Sequence, residues 1–360
     1  MHLIEACLAK KRDNFLLLRI IAAVMVIYGH SFSLARDIGT TDIFLRYNWK
    51  IYSGSIAVNM FFVISGFMVS GSYLSRTSLP IYIIARLLRI VPAYLFILLA
   101  SALVIGPLFT DRSISVYFSN PDVVNYVIKN LHFSSDMAWT LPGVFDGGAR
   151  MTAINGALWT LPAEMRMYVL VAMLGVFGLL KNRVFGSIII AGLFAAGLLR
   201  PQLLPLHPEW LWLGVSFLVG ILAQLYKDRI EIRHDIMLAL IVLTYICNNT
   251  DSYPLLFRLT NGYFCFWFAY RLPILRLEKN GDPSYGIYLW GWPVQQMVVA
   301  LSPNITPLFN CLISIEIAVF MGYISWHLVE RPALSLKKMI SRVRERPLVV
   351  CIFPQQRTDQ

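Results

Sequence analysis

A histidine and an arginine interrupt one long apolar segment near the start of the chain. The segment, NFLLLRIIAAVMVIYGHSFSLA at residues 14–35, contains Arg19 and His30. Eleven residues of α-helix return to within about 20° of one direction and advance about 16 Å, so both side chains share a face. An ionisable group at membrane depth is costly and usually marks a functional path. His30 suits general-base catalysis near neutral pH, although a hydrogen bond that only ties helices together is the alternative.

Two further arginines have the spacing of a phosphate-binding pair. Arg86 and Arg89, in ARLLRIVPAY, stand three residues apart and so share one helix face. Neighbouring guanidinium groups grip phosphate oxygens through their planar forks. Because Arg19 is predicted on the same side of the membrane, the three arginines would form one pocket for a polyanionic cofactor. Arginines that only contact anionic lipid headgroups are the alternative interpretation.

A carboxylate flanked by two aromatic residues enters the membrane from the opposite side. In NGALWTLPAEMRMYVL, Glu164 and Tyr168 are four residues apart and face one way. The helix dipole alone would favour Glu164 there, but its predicted depth equals that of His30, whose tautomer a carboxylate would fix. Trp159, Tyr168 and Tyr288 are predicted to bind substrate. Tyr288 lies in DPSYGIYLWGWP at the start of the ninth helix, whose aromatic residues line a sugar cavity by stacking or else form an interfacial belt.

Composition requires a bilayer around these residues. Apolar residues make up 57% of the 360-residue chain and charged residues 14%, whereas about 25% of residues in soluble domains are charged. The sequence therefore predicts an all-α, polytopic transmembrane bundle. The net charge of +11 arises from short basic clusters between apolar runs, a pattern that excludes nucleic-acid binding. The five cysteines form no CxxC pair, so neither a metal site nor a disulfide framework is expected.

Ten apolar runs are candidate membrane-spanning helices. They lie at about residues 15–35, 55–75, 81–108, 164–180, 185–200, 210–226, 235–250, 255–270, 284–300 and 308–328. An amino terminus inside the cell puts most Lys and Arg residues on the cytoplasmic side, so both termini are predicted cytoplasmic. Arg19 within the first apolar run, together with many later spans, favours a retained helix over a cleaved signal peptide. The long segment 109–160 is predicted to cover or line an external site.

The same pattern predicts one transmembrane domain at residues 1–335 and a basic, polar cytoplasmic tail at 336–360. Small residues in the second helix, from Ser65 to Ser72, are predicted to permit close helix contact. Near the end of the tenth helix, Glu330 and Arg331 in WHLVERP are expected to pair at the inner surface.

Six motifs in this order are similar to those of the acyltransferase 3 family of multi-pass membrane acyltransferases, which includes polysaccharide and O-antigen O-acetyltransferases. The motifs are Arg19 with ten residues before His30, FFVISG at 61–66, Arg86 and Arg89 with two residues between them, LWTLPAE at 158–164, SYGIYLW at 284–290 and VERP at 329–332. Each motif alone is weak evidence for the family, whereas all six, in order and at positions consistent with the predicted membrane spans, are a specific signal.

The resemblance implies a ten-helix core, acetyl-CoA as a cytoplasmic acyl donor, and a sugar hydroxyl on the outer side as acceptor. It implies that His30 is catalytic and that Arg86 and Arg89 bind the donor. The expected setting is the bacterial inner membrane, with membrane lipid and a polysaccharide or lipid-linked oligosaccharide as partners and no metal. Family members often carry histidine after YLW, whereas this chain has Gly291. No second transfer by an appended soluble domain is expected.

In the predicted reaction, His30 activates a sugar hydroxyl against a thioester while the arginines hold the phosphates of coenzyme A. The pantetheine arm would bridge the roughly 16 Å between Arg19 and His30. A covalent acyl-histidine relay is a variant of this reaction. A polysaccharide exporter or transporter is the alternative from another class, and transfer of succinyl or another short acyl group is the alternative within the family.

Overall fold

The structure is a computed structural model that describes residues 3–10, 12–36, 39–76, 78–146, 151–200, 207–275 and 277–336, without the side chains of Arg76 and Glu278. Within these ranges the chain is helical and contains no β-strand, which confirms the predicted all-α class. The predicted cytoplasmic tail lies outside the described residues, except for Leu336 at its start.

The helices are, in chain order, α1 Ile4–Ala9, α2 Phe15–Leu34, α3 Ile43–Arg46, α4 Ser53–Arg76, α5 Leu79–Ala100, α6 Gly106–Phe109, α7 Ile114–Ser119, α8 Pro121–Leu131, α9 Thr160–Val176, α10 Arg183–Leu199, α11 Pro208–Leu225, α12 His234–Ile246, α13 Tyr253–Arg271, α14 Ser284–Leu301 and α15 Pro307–Ser325. A π turn at Ser101–Ile105 joins α5 to α6, and a second at Trp326–Glu330 extends α15. Short 3₁₀ turns lie at Gly156–Trp159 and Leu277–Asn280.

Each of the ten predicted apolar runs coincides with a helix, but fewer meet the length and composition of a membrane span. Among the described residues the six that do are Phe15–Leu34, Ser53–Ser75, Leu79–Phe109, Gly156–Val176, Pro208–Leu225 and Pro307–Leu336. Two others, α10 and α12, are apolar but shorter. The remaining two, α13 and α14, carry polar residues within the bundle, including Asn261, Gln295 and Gln296. The protein is an integral, multi-pass membrane protein.

The boundaries of α9 differ from the prediction because local capping decides them. The helix begins four residues early, after a 3₁₀ turn in which the amide of Ala157 donates to the side chain of Asn155. It ends at Val176, two residues before Gly178, which has φ +71°. A glycine in this left-handed conformation commonly terminates helices. These caps set the depth of Glu164 more directly than the apolar run does.

Close backbone contacts hold the centre of the bundle together. A Cβ atom on Gly66 of α4 would lie 2.1 Å from the carbonyl oxygen of Phe217 in α11, and one on Gly220 of α11 would lie 2.1 Å from that of Val63. The two helices therefore meet backbone to backbone, as the small residues of the second predicted helix indicated. On the other side of the bundle, Gly286 of α14 lies similarly close to α15.

The loops sort into two groups at opposite ends of the bundle. At one end the main chain of Leu3 pairs with that of Glu231. At the other, Asn248 donates to the carbonyl of Asn48 at 3.0 Å. Each contact joins segments predicted on the same side of the membrane. The grouping agrees with the predicted topology, while the orientation of the bundle stays a prediction.

Candidate active site

Asp282 joins two of the predicted arginines at one end of the bundle. Its Oδ2 atom lies 2.9 Å from Arg19 Nη2 and 2.8 Å from Arg89 Nη2, and its Oδ1 accepts a hydrogen bond from Ser284 at 2.6 Å. Burial raises the pKa of the Asp282 carboxyl, but Arg89 and Arg19 more than offset burial and hold that pKa well below its usual range. The carboxylate is therefore ionised at neutral pH and fixes both guanidinium groups.

Glu330 is the second carboxylate in this cluster, and the predicted pair with Arg331 was wrong. Its Oε2 atom lies 3.3 Å from Arg89 Nη1, and its Oε1 atom accepts from Ser325 at 3.1 Å. Consecutive helical residues point about 100° apart, so the neighbouring Arg331 faces outward and is exposed while Glu330 is buried. Arg89 thus bridges Asp282 and Glu330 with two different nitrogens.

Arg86 differs from the other two arginines because it forms no ion pair with the described residues. Its guanidinium carbon lies 5.7 Å from the centre of the Tyr168 ring, and its buried Nε has no hydrogen-bond partner. A cation above an aromatic face is held without losing its capacity to bind an anion. Of the three arginines, Arg86 is the one whose charge is free for a ligand.

Glu164 and Tyr168 form a polar pair beside Arg86. The Tyr168 hydroxyl donates to Glu164 Oε1 at 2.5 Å, and Ser65 Oγ on α4 donates to the same oxygen at 3.3 Å. Tyr168 is fixed further by Tyr82, whose hydroxyl donates to the Tyr168 carbonyl at 2.9 Å. Ser65 therefore supplies a hydrogen bond, in addition to permitting close helix contact.

These groups line a cavity of about 120 Å³, called the arginine cavity below. All predicted site residues except His30 and Trp159 line it; they are Arg19, Arg86, Arg89, Glu164, Tyr168 and Tyr288. Apolar side chains of α4, including Phe61 and Phe62, form another wall. Positive charge at one end and an apolar wall beyond it suit an anionic molecule with a thin organic arm.

The two remaining predicted aromatic residues are placed differently. Tyr288 is buried and donates through its hydroxyl to the Ala157 carbonyl at 2.7 Å, with Thr160 Oγ1 also 2.7 Å away. Trp159 is half-buried, and its carbonyl accepts from the indole of Trp210 at 3.1 Å. Tyr288 therefore shapes the arginine cavity, whereas Trp159 lies outside it.

His30 does not line the arginine cavity and does not meet Glu164. Its ring is 9% exposed and contacts Trp292 edge to face, with 4.8 Å between ring centres. Its buried Nδ1 has no hydrogen-bond partner among the described residues, and the partners of Glu164 are Tyr168 and Ser65. The expected His30–Glu164 contact is absent because the two residues differ in depth: a Cβ atom on Gly29, next to His30, would lie 2.7 Å from Ser53 Oγ, whereas Glu164 bonds Ser65. Ser53 and Ser65 are about 18 Å apart along α4.

A polar network beside His30 was not predicted from the sequence. Gln295 Nε2 donates to the Ile27 carbonyl at 2.8 Å, to Ser31 Oγ at 2.7 Å and to Asn310 Oδ1 at 3.1 Å. This network joins α2, α14 and α15. The signal was present, because buried amides within apolar helices require partners, and Gln295 and Asn310 occupy such positions.

The chain resembles known proteins over most of its length. The family profile described as an acyltransferase domain, Acyl_transf_3, matches residues 13–326. The chain belongs to the acyltransferase 3 family. The resemblance inferred from the six motifs is therefore confirmed, and the protein is a membrane acyltransferase. The match extends from just before α2 to the π turn after α15, so it includes the arginine cavity and His30.

Three relatives cover most of the chain. It is 26% identical over 342 residues to an O-acetyl transferase of Shigella phage Sf6, which spans 90% of this chain and 97% of that protein. It is 25% identical over 358 residues to nodulation protein 10 of Rhizobium leguminosarum bv. viciae, covering 91% and 94%. It is 23% identical over 355 residues to the putative peptidoglycan O-acetyltransferase YrhL of Bacillus subtilis (strain 168), covering 84% of this chain and 55% of that protein. No solved structure matches.

In this acyltransferase 3 member, Gly291 fills the position that often carries histidine. A Cβ atom at 291 would lie 2.7 Å from Ile27 Cγ1 on α2. Ile27 lies three residues before His30, hence close to the same face of the helix. A larger side chain at 291 would displace Ile27, so the departure from the family pattern coincides with a close contact between α14 and the helix of His30.

Proposed function

We propose that the protein transfers an acetyl group from cytoplasmic acetyl-CoA to a sugar hydroxyl of a cell-surface or exported glycan at the bacterial inner membrane. The observation that carries this proposal is the arginine cavity, which combines the half-buried, unpaired guanidinium of Arg86 with an apolar wall in a family of acyltransferases. The names of two relatives, an O-acetyl transferase and a putative peptidoglycan O-acetyltransferase, support an acetyl donor and a polysaccharide acceptor.

Donor binding would depend on Arg86 first. The charges of Arg19 and Arg89 are already compensated by carboxylates, whereas Arg86 offers unpaired donors to a phosphate. The cavity, at about 120 Å³, is smaller than the roughly 300 Å³ at which pockets for drug-sized ligands begin. The nucleotide would therefore stay at the mouth of the cavity, and the pantetheine arm would enter it.

The transfer step requires a base that accepts the hydroxyl proton. As the sugar oxygen attacks the thioester carbonyl, a C–O bond forms, the C–S bond breaks, and the hydroxyl proton passes to His30. The imidazolium then returns that proton to the departing thiolate, which leaves as free coenzyme A. A buried Nδ1 without a partner supports His30 in this role, because the atom has an unused capacity for one hydrogen bond. The covalent acyl-histidine relay gives the same products.

The test is acyl transfer by the purified protein in lipid nanodiscs. Labelled acetyl-CoA and labelled succinyl-CoA are supplied separately with glycan from cells that lack the gene. Label in the glycan from acetyl-CoA supports the proposal, and label from succinyl-CoA alone changes the acyl group. Transfer of neither label to this glycan would contradict the proposed donor and acceptor.

A further inference from the structure

The segment 109–160 contains a second cavity, which the proposed chemistry does not use. It measures about 380 Å³ and lies between α8 and the loop at 138–146. We call it the loop pocket and define it by six lining residues: Arg112, Asp122, Asn125, Lys129, Trp139 and Asp146. Its volume is within the roughly 300–1,000 Å³ typical of ligand pockets.

Helix α8 presents three separate faces, and one of them forms the wall of the loop pocket. The buried face carries Val123, Tyr126 and Asn130, the exposed apolar face Val124 and Ile128, and the pocket face Asp122, Asn125 and Lys129. Residues three, four and seven apart share a face at about 100° per residue. The apolar face suits the edge of the bilayer. The loop pocket would then lie at the membrane surface, beside the polar boundary.

The loop opposite α8 is held in place by hydrogen bonds, so the loop pocket is preformed. Buried Asn130 donates from Nδ2 to the Ala138 carbonyl at 2.9 Å and accepts from the Ala138 amide at 3.2 Å. The Tyr94 hydroxyl donates to the Asn130 carbonyl at 3.1 Å, which ties α8 to α5. At the far end of the loop, Thr110 Oγ1 donates to the Pro142 carbonyl at 2.7 Å.

The lining chemistry suits a neutral sugar. Trp139, with 37% of its surface exposed, offers an aromatic face to the C–H side of a sugar ring. The carboxylates Asp122 and Asp146 would accept hydrogen bonds from sugar hydroxyl groups, and Arg112 and Lys129, the latter 3.6 Å from Asp136 Oδ2, would donate them. Because two acidic and two basic side chains line the pocket, neither a polyanion nor a polycation is favoured.

Two hydrogen bonds and a ring contact connect the loop pocket to His30. The Trp139 carbonyl accepts from the Ile154 amide at 2.8 Å. The neighbouring Ala153 carbonyl accepts from the indole nitrogen of Trp292 at 2.9 Å. Trp292 in turn contacts His30 edge to face. The backbone segment at Ala153 and Ile154 therefore binds both Trp139 of the pocket and Trp292, which contacts His30.

We propose that the loop pocket binds one sugar residue of the acceptor glycan and holds the glycan at the entrance to the site of transfer. This inference rests on the proposed function, because it assigns the acceptor of that reaction to a carbohydrate at the membrane surface. In this role the pocket affects binding of the acceptor and leaves binding of the donor unchanged.

The test measures binding of sugars to the full-length protein in lipid nanodiscs by saturation-transfer difference NMR. The probes are the methyl glycosides of glucose, galactose, rhamnose and N-acetylglucosamine. Two variants change the pocket, Trp139→Ala and Asp122→Asn. Two matched controls change exposed residues in other loops predicted on the same side, Tyr47→Ala and Asp251→Asn.

At least one glycoside should receive saturation from the unmodified protein and from both controls. Trp139→Ala should weaken its binding by roughly threefold to tenfold, the loss expected for one aromatic stacking contact. Trp139→Phe, which keeps an aromatic face, should restore most of it. Absence of transfer to any of the four glycosides, or equal transfer in pocket and control variants, would overturn the proposal.

Calorimetry with acetyl-CoA on the same proteins separates this proposal from the proposed function. Unchanged acetyl-CoA affinity in Trp139→Ala shows that the donor site and the fold are intact. If no protein binds acetyl-CoA but sugar binding depends on Trp139, the sugar pocket stands and the acetyl donor is wrong. If acetyl-CoA binds and no sugar does, only the loop pocket is wrongly assigned.

Discussion

Arg89 and Asp282 form a 2.8 Å ion pair that joins α5 to the residue just before α14, across 193 positions of sequence. Arg19 shares the same carboxylate oxygen, so this one side chain fixes the spacing of two arginines around the arginine cavity. A shared carboxylate offsets the repulsion between the two guanidinium groups, so both can lie close together.

Asp282→Asn should destabilise the bundle, because Arg19 loses its carboxylate partner and Arg89 keeps only Glu330. Removing one partner of a buried pair costs about 3–5 kcal/mol, and partial exposure of this cluster puts the expected loss near or below about 3 kcal/mol. Thermal unfolding in nanodiscs measures the change. Asp228→Asn, which breaks the exposed pair of Asp228 with Arg183, is the control and should change the melting temperature little. Equal shifts in both variants would contradict the central role of Asp282.

The contribution of Asp282 to the stability of the folded protein should also decrease at acidic pH. Its pKa is lowered in the folded protein, so its stabilising effect is present above the unfolded pKa of about 3.9 and is lost as pH falls towards the lower folded value. The difference in unfolding free energy between the unmodified protein and Asp282→Asn should therefore shrink as the pH falls from about 5 to below about 4. Melting curves across this range test the sign; a difference that grows on acidification would contradict it.

Lysine substitutions should separate Arg86 from Arg89. Arg86→Lys keeps the charge but loses the planar fork, so it should weaken coenzyme A binding by roughly tenfold, the equivalent of one lost charge-assisted bond at about 1.5 kcal/mol. Its melting temperature should stay unchanged, because Arg86 forms no ion pair with the described residues. Arg89→Lys should instead lower stability, since one ammonium cannot reproduce the separate contacts to Asp282 and Glu330. Calorimetry with coenzyme A and thermal unfolding of both variants distinguish these effects.

The sequence was sufficient to predict the helices and the grouping of Arg19, Arg86 and Arg89 at one end of the bundle. Apolar runs of membrane length predict helices whatever they pack against, and the spacing of Arg86 and Arg89 guarantees a common face. The partners across the bundle were not predictable. Asp282 stands in a loop 263 residues from Arg19, and nothing local shows that the two approach. The signal that could have found it is the requirement that each buried arginine have a counter-ion.

The depth at which each residue lies in the bundle was the other limit. Residue counting placed Glu164 at the depth of His30, but Glu164 bonds Ser65 of α4, whereas the residue next to His30 lies beside Ser53, twelve positions earlier on that helix. The loop pocket was unpredictable for a related reason. Its walls form only when the 138–146 loop is clamped by Asn130, a contact set by tertiary structure and by no local pattern.

Cysteine labelling should establish which end of the bundle faces outward. A cysteine at Asp136, whose side chain is 84% exposed, should react with an impermeant thiol reagent in intact cells. A cysteine at Gln355, which lies outside the described residues, should react only after permeabilisation. Both are placed in a protein without its native cysteines. Reaction of both positions from one side would require an odd number of spans and would reverse the predicted entry of donor or acceptor.

The His30 side chain is the decisive test of the reaction. His30→Ala should reduce acyl transfer by roughly 10²–10⁴-fold, the usual contribution of a general base, while expression and the melting temperature stay close to normal. His30→Gln retains hydrogen bonding and should be equally inactive, because an amide cannot accept the hydroxyl proton. Both variants should still bind coenzyme A, since the arginine cavity does not include His30. Mass spectrometry of surface glycans from cells that carry each variant measures transfer. Full acylation by either variant would return His30 to a packing role against Trp292, and loss of coenzyme A binding would indicate a structural effect on the arginine cavity.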